Sequence, residues 1–124
     1  DEGTSFHYLP PSRYIEIDQK MIDNIKGIFE KLNIPFEECI TWTTDGFFRE
    51  TQEMVQYRLS EGCSTVEMEC AALAACAQKR GASFAQFFFT ADSLANVTEH
   101  DERNWGILSH SKALHLALDL ICNI

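Results

Sequence analysis

Apolar residues recur at helical spacing over 19–32, where Met21, Ile22, Ile25, Ile28, Phe29 and Leu32 share one face. Asp18 stands at the N-cap position, and Asn33 with Pro35 ends the run. Residues 39–44 (CITWTT) are β-branched and aromatic, which predicts a strand broken by Asp45-Gly46. A short amphipathic helix is expected over about 50–59, stopped at Gly62, and a short strand over 64–67. From Met68 to Arg80 the chain is apolar nearly all round, so a helix buried on most sides is expected there. Lys79 and Arg80 suit the negative end of its dipole, and Gly81 suits a left-handed cap. The run SFAQFFFTA (83–91) reads as a strand covered on both faces, which favours a parallel sheet. Residues 93–106 read as polar loop, and a last helix is predicted over 106–122, with Ile107, Leu108, Leu114, Leu118 and Ile121 as its stripe. The first 17 residues read as extended chain broken by Pro10-Pro11.

Strands alternating with helices predict an α/β fold with a largely parallel sheet. In such sheets ligands collect beyond the carboxyl ends of the strands. The length of 124 residues suits one domain with one core. A net charge of −9 without a basic stripe argues against nucleic acid and against an anionic membrane surface. No apolar run reaches the roughly 18 residues of a membrane span. The five cysteines form no CxxC pair, and the four histidines show no ligand spacing, so no metal is expected. Cysteine usage reads as reduced, buried thiols of a cytoplasmic protein. A first residue other than Met suits a fragment or a processed chain.

Candidate chemistry falls on acids at the expected strand ends. Ser64-x-x-Glu67 fits a capping box, and any acid near a helix N-terminus is stabilised by the dipole. Alternatively, Glu69 accepts two hydrogen bonds from vicinal hydroxyls, as on a ribose, with Met68 as a soft apolar floor for the sugar. Asp92 follows Phe84, Phe87, Phe88 and Phe89, where a low-dielectric wall would raise its pKa and let it donate a proton. A turn or N-cap role for Asp92 fits the pattern equally well.

The segments VEMECAALAA (66–75) and FFTAD (88–92) resemble the purine nucleoside phosphorylase and uridine phosphorylase superfamily, which also contains nucleosidases. TTDGFFRET (43–51) and DEGTSFHYLPP (1–11) are similar to further family segments in the same order, so the resemblance spans essentially the whole chain. It implies a three-layer α/β/α fold with a mixed, largely parallel sheet, of which residues 1–124 would be the C-terminal portion. It implies that Glu69 binds the ribose 2′ and 3′ hydroxyls, that Met68 packs on the sugar, that Glu67 supports that site, and that Val66 is among the substrate-binding residues. Phe47 would contact the base, and Asp92 would protonate or hydrogen-bond the purine N7. Arg103 is the candidate for the arginine that helps switch the acid, although its spacing looks about two residues short. Arg49, Glu50 and Thr51 stand where the uridine-cleaving branch has a Gln and an Arg, which favours a purine substrate.

The implied reaction is cleavage of an N-glycosidic bond with phosphate as co-substrate and no other cofactor. The family's phosphate loop is missing: the six glycines are scattered and no GxGxxG occurs. The chain is therefore expected to hold the nucleoside side of the site. It would pair with the N-terminal half of the same enzyme, or self-associate through an exposed sheet edge and apolar patches. A non-catalytic truncated module, a nucleosidase and a uridine-type phosphorylase remain as alternatives.

Overall fold

The computed structural model describes residues 1–89 and 107–123. Among them lie four α-helices, α1 (Gln19–Lys31), α2 (Gln52–Ser60), α3 (Cys70–Arg80) and α4 (Ile107–Asn123), and two strands, β1 (Ile40–Thr43) and β2 (Cys63–Glu67). The strands pair in parallel, joined by α2, so the fold is mixed α/β as expected. Trp42 lies opposite Val66 and Thr43 opposite Glu67. The register slips by one residue between Ile40 and Thr41, a bulge that leaves Ser64 without an opposite number.

Side-chain caps fix the helix starts. Asp18 Oδ1 accepts from the Met21 amide at 3.3 Å to open α1, and Thr51 Oγ1 accepts from the Met54 amide at 3.3 Å to open α2. α3 closes on Gly81 in the left-handed region at φ 65°, where a side chain would be strained. Ile28 and Phe29 of α1 pack with Leu120 of α4, flanked by Ile25, Ile34, Phe87 and Leu116. Phe29 meets Phe36 and Phe87 edge-on, with centroids 5.6 and 5.9 Å away. Each large side chain in this cluster contributes about 1.5–3 kcal/mol by leaving water.

Several expectations are corrected. Residues 82–89 join no strand ladder, although Phe84 to Phe88 are half-buried; residues 90 and 91 of the expected strand lie outside the described residues. An apolar run reports burial, and a ladder also needs a neighbouring strand edge to bond to. Phe87 spends its burial on Phe29 instead. On α4, Leu114, Leu118 and Ile121 face outward, and Leu116 and Leu120 turn to the core. That helix carries apolar residues on more than one face, so spacing alone does not select the buried one. α3 buries only Cys70, Ala74 and Ala75, and leaves Leu73 49 % exposed. The N-terminal segment is not wholly extended: Thr4–His7 forms a 3₁₀ turn, and Glu2 Oε2 accepts from the Ser5 amide at 3.0 Å. All five cysteines are free thiols, but only Cys70 is buried, and Cys39 and Cys122 are exposed. Among the described residues, no helix is long and apolar enough to cross a membrane.

Candidate functional site

A parallel pair brings the carboxyl ends of both strands to one edge. There β1 runs through Thr44-Asp45-Gly46 into a 3₁₀ turn at Phe47–Arg49, and β2 runs through Met68-Glu69 into α3. Phe47 and the Glu67-Met68-Glu69 segment therefore leave the sheet at the same end.

Glu67 and Glu69 do different jobs. Glu67 ends β2, and its Oε2 accepts from the amides of Glu69 at 2.8 Å and Cys70 at 2.5 Å. Its Oε1 accepts from the Thr43 hydroxyl, and Thr43 Oγ1 in turn accepts from the Ala71 amide at 3.1 Å. Together these two side chains satisfy three of the four amides at the start of α3, those of Glu69, Cys70 and Ala71, which otherwise have no partner inside the helix. The capping box with Ser64 is not formed: Ser64 lies inside β2, and Glu67 reaches forward to α3 rather than back. Glu69 occupies the N-cap position without a side-chain cap bond, and its exposed carboxylate has no partner among the described residues.

Exposed apolar side chains lie at the same end of the sheet. Met68 is 43 % exposed, and Phe47 and Phe48 are 74 % and 75 % exposed. The two rings pack edge-on at 5.9 Å. The loop carrying them is tied back, since Thr44 donates its amide to the Glu67 carbonyl at 2.9 Å. Thr44 Oγ1 accepts from the Gly46 amide at 3.4 Å. Val66 is half-buried opposite Trp42 and supports the strand end from within.

Below the site, Arg58 is buried with 7 % exposure. It pairs with Asp1 Oδ2 at 2.5 Å and Glu61 Oε2 at 2.8 Å, and lies 5.4 Å from the ring centroids of both Trp42 and Tyr57. Arg13 also pairs with Glu61 and donates to the Tyr57 hydroxyl at 3.3 Å. This network holds the N-terminal segment against α2 and β1. The Cys70 thiol is pushed up to about 12, by burial first and by the Glu67 charge second, so it stays protonated and is no nucleophile.

Of the sequence-predicted residues, Phe47, Val66, Glu67, Met68 and Glu69 are brought together at one sheet end. Asp92 and Arg103 lie outside the described residues. Sequence reasoning missed Thr43 and Thr44; the signal available was a Thr-Thr-Asp-Gly run closing a strand, where hydroxyls often bond nearby amides. A recess of about 430 Å³ opens elsewhere, between Leu32 and Ile34 on one side and Ser111, Lys112, His115, Leu116 and Asp119 of α4 on the other. It includes none of the candidate residues.

A family model described as the phosphorylase superfamily matches residues 1–121. No curated protein matches the chain, and no solved structure does. The match covers nearly the whole sequence, so the chain belongs to the phosphorylase superfamily.

Proposed function

We propose that this member of the phosphorylase superfamily carries the nucleoside-binding side of a nucleoside phosphorylase site, with a purine nucleoside as substrate and phosphate as acceptor. One observation carries the reading. An exposed aromatic, an exposed thioether and a carboxylate with no partner among the described residues share the carboxyl end of a parallel strand pair. These are the three chemistries that a base, a sugar face and a vicinal diol require.

In this reading Phe47 packs on the base, Met68 on the ribose, and Glu69 accepts from the 2′ and 3′ hydroxyls. Breaking the N-glycosidic bond builds positive charge on the sugar and negative charge on the departing base. Asp92 protonates or hydrogen-bonds N7, with Arg103 helping to switch its protonation, and a general acid of that kind typically gives about 10²–10⁴-fold. Phosphate takes the anomeric carbon. Its binding residues come from a companion segment, the N-terminal half of the same enzyme. That companion would also extend the two strands into a three-layer α/β/α arrangement.

The test is nucleoside binding by calorimetry, alongside base release from inosine, adenosine, guanosine and uridine with and without phosphate. Wild type is compared with Glu69→Gln and Asp92→Asn. Purine nucleosides should bind, tenfold or more weakly in Glu69→Gln. Release should require phosphate and a companion segment, and should fall in Asp92→Asn with little change in binding. Preference for uridine would overturn the purine assignment. Release without phosphate would make the acceptor water, and failure to bind any nucleoside would end the reading.

A further inference from the structure

We infer that Thr43 is a positioning residue for the sugar-binding carboxylate, acting through Glu67. The inference rests on the nucleoside reading of Glu69. Thr43 ends β1, is 7 % exposed, and lies opposite Glu67 in the ladder. A threonine hydroxyl offers one proton and two lone pairs. The proton goes to Glu67 Oε1, and a lone pair takes the Ala71 amide at 3.1 Å. Glu67 uses its other oxygen on the Glu69 and Cys70 amides. One hydroxyl thus joins three elements, β1, β2 and the start of α3.

The consequence concerns Glu69. Residues at an N-cap commonly fold their own side chain onto the helix amides. At this helix Glu67 takes the amides of Glu69 and Cys70 and Thr43 takes that of Ala71, and the exposed Glu69 side chain makes no cap bond of its own. Its backbone is meanwhile clamped, with its amide on Glu67 and its carbonyl accepting from Leu73 at 3.0 Å. Thr43 touches no substrate in this arrangement. It fixes where the two carboxylate oxygens of Glu69 can meet a diol, and geometry at that level decides whether both hydroxyls are engaged.

Thr43→Val keeps the shape and removes the hydroxyl; Thr43→Ser restores the hydroxyl and drops a methyl. Two readouts on the full chain separate the inference from the reading beneath it. The first is amide hydrogen exchange at Glu69, Cys70 and Ala71 without ligand. Thr43→Val should speed exchange there by roughly tenfold or more, with the β1–β2 ladder amides little changed, and Thr43→Ser should restore the wild-type rates. Unchanged exchange in Thr43→Val would overturn the inference whatever the ligand results. The second is the affinity ratio between inosine and 2′,3′-dideoxyinosine. A positioning role predicts that Thr43→Val collapses that ratio towards one, while Thr43→Ser keeps it. Weakening of both ligands by the same factor would reduce Thr43 to a structural residue. Failure of the wild-type chain to bind inosine would overturn the nucleoside reading and this use of Thr43 with it, leaving the exchange result to report only the anchoring of α3.

Discussion

Glu67 and Glu69 flank the same methionine, and replacing each by alanine should give opposite phenotypes. In Glu67→Ala three donors lose an acceptor: the Thr43 hydroxyl and the amides of Glu69 and Cys70. Loss of a helix cap costs about 0.5–2 kcal/mol, and loss of a charge-assisted hydrogen bond to a part-buried hydroxyl costs about 1.5–3 kcal/mol. Water reaches some of these groups, so the two do not add in full, and a total of about 2–4 kcal/mol is expected. For a chain of this length that lowers Tm by on the order of 10 °C. Glu69→Ala removes an exposed side chain with no partner among the described residues, so only its favourable charge at the helix start is lost, about 0.3–1 kcal/mol. Nucleoside affinity should show the reverse, with Glu69→Ala losing tenfold or more at a temperature where both variants are folded. Circular-dichroism melts and calorimetry at matched fraction folded measure the pair. Equal Tm losses, or a larger loss for Glu69→Ala, would refute the assignment of the cap to Glu67.

Cys70 should resist alkylation at about pH 8 while exposed Cys39 and Cys122 react, and denaturant should abolish the difference. Its raised pKa also makes the stability it supports fully present below the ordinary thiol value of 9.0 and lost as pH climbs towards about 12; Cys70→Ser should flatten that alkaline limb. Glu61 is held below the usual carboxylate range, chiefly by its hydrogen bond from Arg13. The sign is therefore opposite: that stability is present above about 4.5 and lost as pH falls through the lower folded value, so the melting difference between wild type and Arg13→Gln should narrow in acid. Phe47→Ala should leave Tm nearly unchanged, since the ring is 74 % exposed, while nucleoside affinity drops roughly tenfold or more for a lost base stack.

The helices and both strands were legible because each has a local cause. Asp18 caps where an N-cap was expected, Gly81 takes the left-handed turn, and the β-branched run 39–44 pairs as a strand. What sequence could not settle was partnership. Phe84 to Phe88 are half-buried as their composition demands, yet Phe87 found an aromatic on α1 rather than a strand. On α4 Leu114, Leu118 and Ile121 of the stripe chosen by spacing point outward, because Leu116 and Leu120 compete with them for the core. Arg58 shows the same limit: nothing local distinguishes it from other basic residues, and its burial depends on Asp1 and Glu61 arriving from elsewhere.

The two readings of the acidic motif, helix cap and sugar ligand, compete only if one carboxylate must do both. A helix start with four free amides will draw in the nearest acceptor, and a ligand carboxylate standing at the N-cap is the nearest one available. The fold eases that competition by ending β2 on Glu67 and β1 on Thr43, in register, so that acceptors already occupy the amides of Glu69, Cys70 and Ala71. The spacing Ser64-x-x-Glu67 suggests a cap for physical reasons that are sound, but it places the helix start several residues early. Once α3 begins at Cys70, the acid that caps sits before the turn, and the acid in the turn makes no cap bond.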